Sequence, residues 1–358
     1  MSAVLMMAGG TGGHVFPALA VADALRAEGL EVAWLGTTRG MEARLLAQQP
    51  YPLHLLSIEG LRGRGPIAWL SAPMKLALAL MQCLCIVRRL RPRLAVGMGG
   101  FASGPGGVAA RLLGVPLIIH EQNAIPGTTN RLLARLANRV LQAMPDAFPS
   151  SLGAITTGNP VRAAIVDVRS RAAREPYPSG RVRLLVLGGS QGARWLNESL
   201  PAALAALGDR PIEIRHQSGG AERAETAARY AAHGLTAEVH DFFDDMAEHY
   251  AWADAAVCRA GALTVSELAT VGLPSILVPF PHATDNHQQA NANWLASTGA
   301  AEVLIQQTVR EGDLTATLAR LIGEPARRHA MAMRALALAQ GAATATVTAH
   351  CLEFCRDT

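Results

Sequence analysis

A chain of 358 residues, half of them hydrophobic and 17% charged, has enough apolar surface for two cores of ordinary domain size. A net charge of only +4 argues against a broad polyanion binder, so no nucleic-acid partner is expected. Five scattered cysteines (Cys83, Cys85, Cys258, Cys351, Cys355) without paired spacing argue against a disulfide frame or a zinc site.

The first residues carry a short apolar run with no basic segment before it, so they read as a buried strand over 3–8 and not as a signal peptide. That strand runs into Gly9-Gly10-Thr11-Gly12-Gly13-His14, with a helix predicted over 17–28. Glycines at a strand–helix junction let backbone N–H groups approach a ligand, and a helix N-terminus favours an anion there. A dinucleotide site is disfavoured. From Gly10 the spacing is G-x-G-x-x-V, and the second strand, predicted over 31–35, ends at Gly36-Thr37 where an acidic residue would meet a ribose. No G-x-x-x-x-G-K-[ST] run exists, which excludes a P-loop.

A helix over 41–48 precedes an unusual stretch. Between Glu59 and Glu121 there is no acidic residue, while Arg62, Arg64, Lys75, Arg88, Arg89, Arg91, Arg93 and Arg111 supply eight positive charges. Eight exceeds the net charge, so the remaining chain is net negative and the basic partner surface is local. Within this stretch the apolar run 67–87 approaches bilayer-spanning length, about 20 residues. Pro73 and Lys75 interrupt it, and it sits inside an alternating α/β series, so an apolar and basic patch resting on anionic lipid is the expectation, with a core helix as the alternative. A helix over 73–90, a strand over 94–98, a glycine-dense loop expected to be mobile at Gly99-Gly100-Phe101-Ala102-Ser103-Gly104-Pro105-Gly106-Gly107, a strand over 116–120, a helix over 128–137 and a strand over 139–143 follow. The alternation falters near residues 157–162, and 168–180 reads as an exposed linker. A second series opens with a strand over 182–187 and the turn Gly188-Gly189-Ser190-Gln191-Gly192-Ala193, then strands over 212–216, 237–239, 255–258, 275–278 and 301–304. The Ala-rich tail beyond Pro325 is predicted helical. Such alternation predicts α/β architecture with parallel sheets in two domains, and a ligand crevice where strand C-termini meet helix N-termini.

Read in order, Gly9 to His14, His120-Glu121-Gln122-Asn123, Gly158-Asn159-Pro160-Val161-Arg162, Gly188 to Ala193, Asp241-Phe242-Phe243-Asp244-Asp245-Met246, Cys258 to Glu267, Val278-Pro279-Phe280-Pro281-His282 and Gln288-Gln289 resemble the MurG family over essentially the whole chain. The resemblance implies a GT-B fold, with an acceptor and membrane-associating domain over 1–160 on which a C-terminal helix over about 341–358 packs back. A UDP-N-acetylglucosamine-binding domain would span 161–340. It further implies an inverting transfer of N-acetylglucosamine to the C4 hydroxyl of undecaprenyl-diphosphate-linked muramyl-pentapeptide, with no cofactor and no metal. Location would be peripheral, on the cytoplasmic face of the inner membrane, with other cell-wall synthesis proteins as further partners.

By the same resemblance, Thr11, Gly12 and Gly13 bind substrate, and Ser190 contacts the donor diphosphate. The Phe243 backbone reads uracil. Ala262, Leu263, Thr264, Val265 and Ser266 open a helix facing the diphosphate, and Glu267 accepts from the ribose hydroxyls. Gln288 and Gln289, with Asn123, hold the sugar, and Arg162 orients the nucleotide. The segment His282-Ala283-Thr284-Asp285-Asn286-His287-Gln288 is one residue longer than the family pattern.

Several roles stay open at the level of sequence. Inversion needs a base for the attacking hydroxyl, and His14, read at the tip of the first glycine turn, is either that base or an acceptor contact. Glu121 is the rival base, or else it bridges backbone amides. Asn123 is also read as a helix-entry cap, Glu267 as a first-turn carboxylate on a helix dipole, Arg162 as a surface charge and Cys258 as a buried strand residue. Adjacent Asp244-Asp245 lacks D-x-D spacing and reads as a helix start. The alternatives to a muramyl acceptor are another UDP-sugar transferase and a non-catalytic sugar-nucleotide-binding module.

Overall fold

The computed structural model describes residues 4–38, 40–57, 72–174, 180–189 and 192–356, and the chain divides into two compact units, Met1–Arg162 with Ala342–Thr358, and Ala163–Gly341. Each unit is built on one wholly parallel sheet.

In the first unit the strands are β1 (Val4–Met7), β2 (Val32–Thr37), β3 (Leu53–Leu56), β4 (Leu94–Gly97), β5 (Leu117–Glu121), β6 (Arg139–Gln142) and β7 (Ile155–Thr156). Their spatial order is β3-β2-β1-β4-β5-β6-β7. Strands β1, β2, β4 and β5 are buried along their whole length, as expected of a sheet covered on both faces. Helices α1 (Gly12–Ala27), α2 (Met41–Leu45), α3 (Ala72–Leu90), α4 (Ser103–Leu112) and α5 (Thr128–Leu133) connect them.

The second unit opens with α6 (Ala163–Val166) and has strands β8 (Val182–Leu187), β9 (Ile212–Gln217), β10 (Glu238–His240), β11 (Ala255–Cys258), β12 (Ser275–Leu277) and β13 (Ala301–Val303), in the order β10-β9-β8-β11-β12-β13. Its other helices are α7 (Arg194–Ala205), α8 (Arg223–Ala232), α9 (Met246–Trp252), α10 (Ala262–Val271), α11 (His287–Ala296), α12 (Asp313–Gly323) and α13 (Pro325–Ala337). The last helix, α14 (Ala343–Arg356), returns to the first unit, where Val347, Cys351 and Cys355 join Val15, Val21 and Leu25 of α1 in one core.

Two expectations are corrected here. The glycine-dense segment after β4 is not a loop beyond Ala102, because α4 begins at Ser103 and carries Gly104, Gly106 and Gly107. The reason is close packing on both sides: a Cβ at Gly106 would lie 2.6 Å from Met7 Sδ of β1, and one at Gly107 2.9 Å from Leu133 Cδ1 of α5. The start of the segment read as an exposed linker is fastened to the second unit. Ser170 is fully buried and donates from Oγ to Gly272 O at 2.5 Å, and Arg171 N–H donates to Ala253 O at 2.9 Å. Arg169 and Arg174 add bonds from their guanidinium groups to Thr270 O and Ala251 O of that surface.

No described helix is long and apolar enough to cross a membrane. Helix α3 buries Ala72, Ala79, Cys83 and Val87 and leaves Met74 and Met81 more than 60% exposed. The spacing Met74, Leu78, Met81, Cys85, Arg88 draws one apolar stripe ending in charge along its outer face. Residues 67–71 of the apolar run, with Arg62 and Arg64, lie outside the described residues.

Candidate functional site

Sheet order fixes where ligands can bind. In the first unit the chain reverses its direction of strand addition between β1 and β4, and in the second between β8 and β11. At such a switch point the connections leaving the two strands diverge, opening a crevice at their C-terminal ends. The motifs singled out in the sequence emerge there in each unit.

In the first unit, β1 delivers Ala8-Gly9-Gly10-Thr11 to the start of α1, and β4 delivers Met98-Gly99-Gly100 to the start of α4. The two turns are in backbone contact. Gly99 and Gly100 have φ of +96° and +87°, and a side chain at Gly100 would collide with the Gly9 carbonyl. A Cβ at Gly99 would stand 2.8 Å from the His14 ring, so the imidazole lies directly on this glycine. His14 is not at the tip of a turn as expected. Helix geometry begins at Gly12, because Thr11 is an extended N-cap, and His14 occupies the first helical turn. Its Nδ1 is 3.5 Å from Thr11 Oγ1. The first bonds of α1 run from His14 and Val15 N–H to Thr11 O, so the amides of Gly12 and Gly13 precede them and face outward from the helix end.

Beside these turns, β5 ends in His120-Glu121-Gln122-Asn123. The Glu121 carboxylate is buried and takes four N–H donors. Oε1 accepts from Asn123 N and Asn123 Nδ2, both at 3.0 Å, and Oε2 accepts from Gly127 N at 3.1 Å and Asn130 Nδ2 at 2.9 Å. Of its two sequence-level readings, the bridging one matches this geometry. Asn123 is not a helix cap, since α5 starts only at Thr128, and its side chain is tied to Glu121. His120 is fully buried, with Nε2 2.9 Å from Gly158 O and Nδ1 3.4 Å from Gln122 Nε2. Burial pushes its pKa down to about 4, so it is neutral at physiological pH. Arg162 lies with its guanidinium 4.9 Å from the Phe16 ring centroid, and Phe16 also packs on Gly12, which puts Arg162 next to the α1 N-terminus.

The second unit repeats the plan. After β8 come Gly188 and Gly189, and Gly192 with φ +76° leads into α7, whose N-cap Ala193 has no side-chain cap. Ser190 lies outside the described residues. After β11 the turn Arg259-Ala260-Gly261 leads to α10, which also starts without a side-chain cap or an acidic residue in its first turn. Ala262 to Ser266 form that start. The Ser266 hydroxyl is spent on Ala262 O at 2.9 Å. Glu267 is one turn further in than expected, in the second turn of α10, and only 3% exposed; its Oε2 accepts from Tyr250 Oη at 2.8 Å. That changes its reading from a dipole stabiliser to a carboxylate aimed by a buried tyrosine. The Phe243 ring is buried against His249 at 3.8 Å between centroids and His240 at 5.0 Å. Gln288 Oε1 accepts from Phe280 N–H at 2.9 Å, whereas Gln289 is exposed. The segment before them holds two consecutive left-handed residues, Asp285 and Asn286, both with φ +54°. Asp245 is the N-cap of α9, accepting from Glu248 N at 3.1 Å, as its motif suggested.

Sequence reasoning overlooked three residues here. Arg259 stands inside a quoted motif, yet nothing marked it out; it donates to Val278 O and Pro279 O at 3.1 and 3.2 Å and to Gln306 Oε1 at 3.0 Å, bracing the β11–α10 turn. Tyr250 and Glu42 looked like ordinary helix residues.

Two Rossmann-like parallel-sheet units, each with glycine turns and uncapped helix N-termini at its switch point, make up the GT-B fold. Residues 4–142 match the glycosyltransferase family 28 N-terminal domain, and residues 183–346 the family 28 C-terminal domain. The UDP-N-acetylglucosamine–N-acetylmuramyl-(pentapeptide) pyrophosphoryl-undecaprenol N-acetylglucosamine transferase of Methylococcus capsulatus is 52% identical over 350 residues, 98% of each chain. That of Azotobacter vinelandii is 53% identical over 358 residues, 99% of each chain. The crystal structure of Acinetobacter baumannii MurG superposes with a TM-score of 0.80 at 41% identity, covering 97% of this chain and 98% of that one. The chain belongs to glycosyltransferase family 28 and, within it, to the MurG family.

Proposed function

We propose that this protein transfers N-acetylglucosamine from UDP-N-acetylglucosamine to the C4 hydroxyl of undecaprenyl-diphosphate-linked N-acetylmuramyl-pentapeptide, with inversion at the anomeric carbon. The observation that carries this reading is the match, over nearly the full length of both chains, to relatives bearing that activity in their names. In a single displacement the acceptor oxygen attacks the anomeric carbon, the bond to the diphosphate breaks with its electron pair, and UDP departs. The developing charge on UDP calls for fixed positive dipoles, which the N-termini of α7 and α10 supply. Glu267, aimed by Tyr250, takes the ribose hydroxyls. Ser190, the Phe243 backbone, Gln288, Gln289, Asn123 and Arg162 complete the donor contacts. Thr11, Gly12 and Gly13 take the acceptor diphosphate. His14 removes the proton from the C4 hydroxyl, since Glu121 already has four N–H partners.

The enzyme works as a peripheral protein on an anionic membrane surface, where its acceptor resides. The stripe on α3 supports this, since exposed Met74, Leu78 and Met81 continue into Arg88 and Arg89. A transfer assay with labelled UDP-N-acetylglucosamine and a muramyl-pentapeptide diphospholipid tests the whole reading, run with excess chelator and with His14→Ala. Product is expected with chelator present, and a fall in kcat of about 10²–10⁴ in the variant. Transfer to some other acceptor, with none to the muramyl lipid, overturns it.

A further inference from the structure

The first glycine turn is anchored from within by a carboxylate that the reaction itself does not use. Glu42, on α2, is fully buried. Its Oε2 accepts from Gly10 N–H at 2.9 Å; its Oε1 accepts from Thr37 N–H at 2.7 Å and from Thr37 Oγ1 at 2.9 Å. Three glycines make room for it. A Cβ at Gly9 would lie 2.5 Å from Oε1, one at Gly36 2.6 Å from Cγ, and one at Gly40 would overlap the carboxylate itself. Such a cage is costly in chain entropy, since each glycine has more freedom to lose than any other residue. Gly36 and Thr37 are also the end of β2, where a dinucleotide fold places the acidic residue that reads a ribose. Here the acid arrives from α2 and points back at the protein's own glycine turn.

We infer that Glu42 is a positioning residue: an internal anion that captures the Gly10 amide, fixes the Gly9–Gly10 turn, and so sets the amides of Gly12 and Gly13 and the His14 ring where an acceptor diphosphate meets them. Gly10 holds φ +91°, a conformation that glycine adopts without strain, while its N–H bonds Glu42. The held turn in turn supports the second one, because the Gly9 carbonyl is the surface on which Gly100 rests, and His14 lies on Gly99. One carboxylate thereby sets both walls of the switch point in this unit. The acceptor assignment rests on the function proposed above; the anchoring of the turn does not.

Glu42→Gln keeps the shape and replaces one acceptor oxygen with an NH₂ group. Because Oε1 has two donors to satisfy, the NH₂ falls opposite Gly10 N–H and releases the turn. The expected result is a rise of about tenfold or more in KM for the lipid acceptor, with KM for UDP-N-acetylglucosamine unchanged. Amide exchange should accelerate in peptides covering Gly9 to His14 while the second unit keeps its protection. Thr37→Val, which removes a single donor from Oε1, should move acceptor KM the same way by about twofold, and decides the matter if Glu42→Gln does not fold. Unchanged acceptor KM and unchanged exchange at Gly9 to His14, or equal weakening of both substrates, overturns the inference. Should the unaltered protein transfer nothing to a muramyl lipid, the functional reading falls instead, and the exchange measurement alone judges whether Glu42 holds the turn.

Discussion

Replacing Glu121 with Gln separates a structural carboxylate from a catalytic base. The amide keeps one oxygen, which can still serve Asn123 N and Nδ2, but presents an NH₂ where Oε2 accepted from Gly127 N and Asn130 Nδ2. Gly127 is exposed, so water can replace its lost partner and the cost there is about 0.5–1.5 kcal/mol. Asn130 is buried, and losing a charged acceptor opposite its amide costs about 1.5–3 kcal/mol. Flipping the Asn130 amide restores one bond only by breaking its 3.0 Å bond to His120 O. The first unit should therefore lose about 2–4 kcal/mol, read by hydrogen exchange in peptides spanning β5 and α5. Turnover should be largely retained, because Asn123 keeps both of its bonds, and the acid limb of the pH–rate profile should keep its position. A variant within about 0.5 kcal/mol of the parent, with the acid limb abolished, would refute the reasoning and make Glu121 the base.

Three further outcomes are expected. Burial lowers the pKa of His120 to about 4 and of His216 to about 3, so the unfolded chain binds protons first as pH falls below about 6.5. Stability is then full above that value and declines towards the folded pKa; between pH 7 and 5 each histidine should cost about 2 kcal/mol in urea unfolding. His216→Phe combined with Tyr230→Phe, which also removes the 3.0 Å contact between them, should abolish the second unit's share, and an unaltered pH slope counts against it. Tyr250→Phe deletes the hydroxyl that aims Glu267 and should weaken UDP binding about three- to tenfold by calorimetry, whereas undiminished affinity removes Tyr250 from the donor site. Changing Arg88 and Arg89 to Gln should reduce co-sedimentation with anionic vesicles by about tenfold and leave UDP binding intact. Sedimentation indifferent to lipid charge would make α3 an ordinary solvated helix.

The sheet strands were legible because buried parallel strands are short apolar runs: Val182–Leu187 and Ala255–Cys258 fall where periodicity put them. Strand β3 was not, since Leu53-His54-Leu55-Leu56 is a half-exposed edge with no clear pattern. Two helix starts were misplaced where Pro or Gly was read by local propensity. Pro17 lies inside α1 and Gly106 inside α4, because contacts with the sheet outweigh the local preference of each residue. The motif residues were recognisable as a set, yet their mutual support was not. That Glu121 is saturated, that Glu267 is held by Tyr250 and that Glu42 sits among three glycines all depend on partners distant in the chain or hidden on neighbouring elements, which spacing cannot reveal.

The return of α14 to the first unit reverses the usual order of maturation on the ribosome. Residues 163–341 form an uninterrupted unit that can close as soon as it emerges. The unit begun by the first residues must wait for Val347, Cys351 and Cys355 to reach its core, and for Arg93 Nη1 to find Cys355 O at 3.1 Å. Until then α1 presents an uncovered apolar flank to the cell. The half synthesised first is thus the half that finishes last, and loss of α14 would open its core.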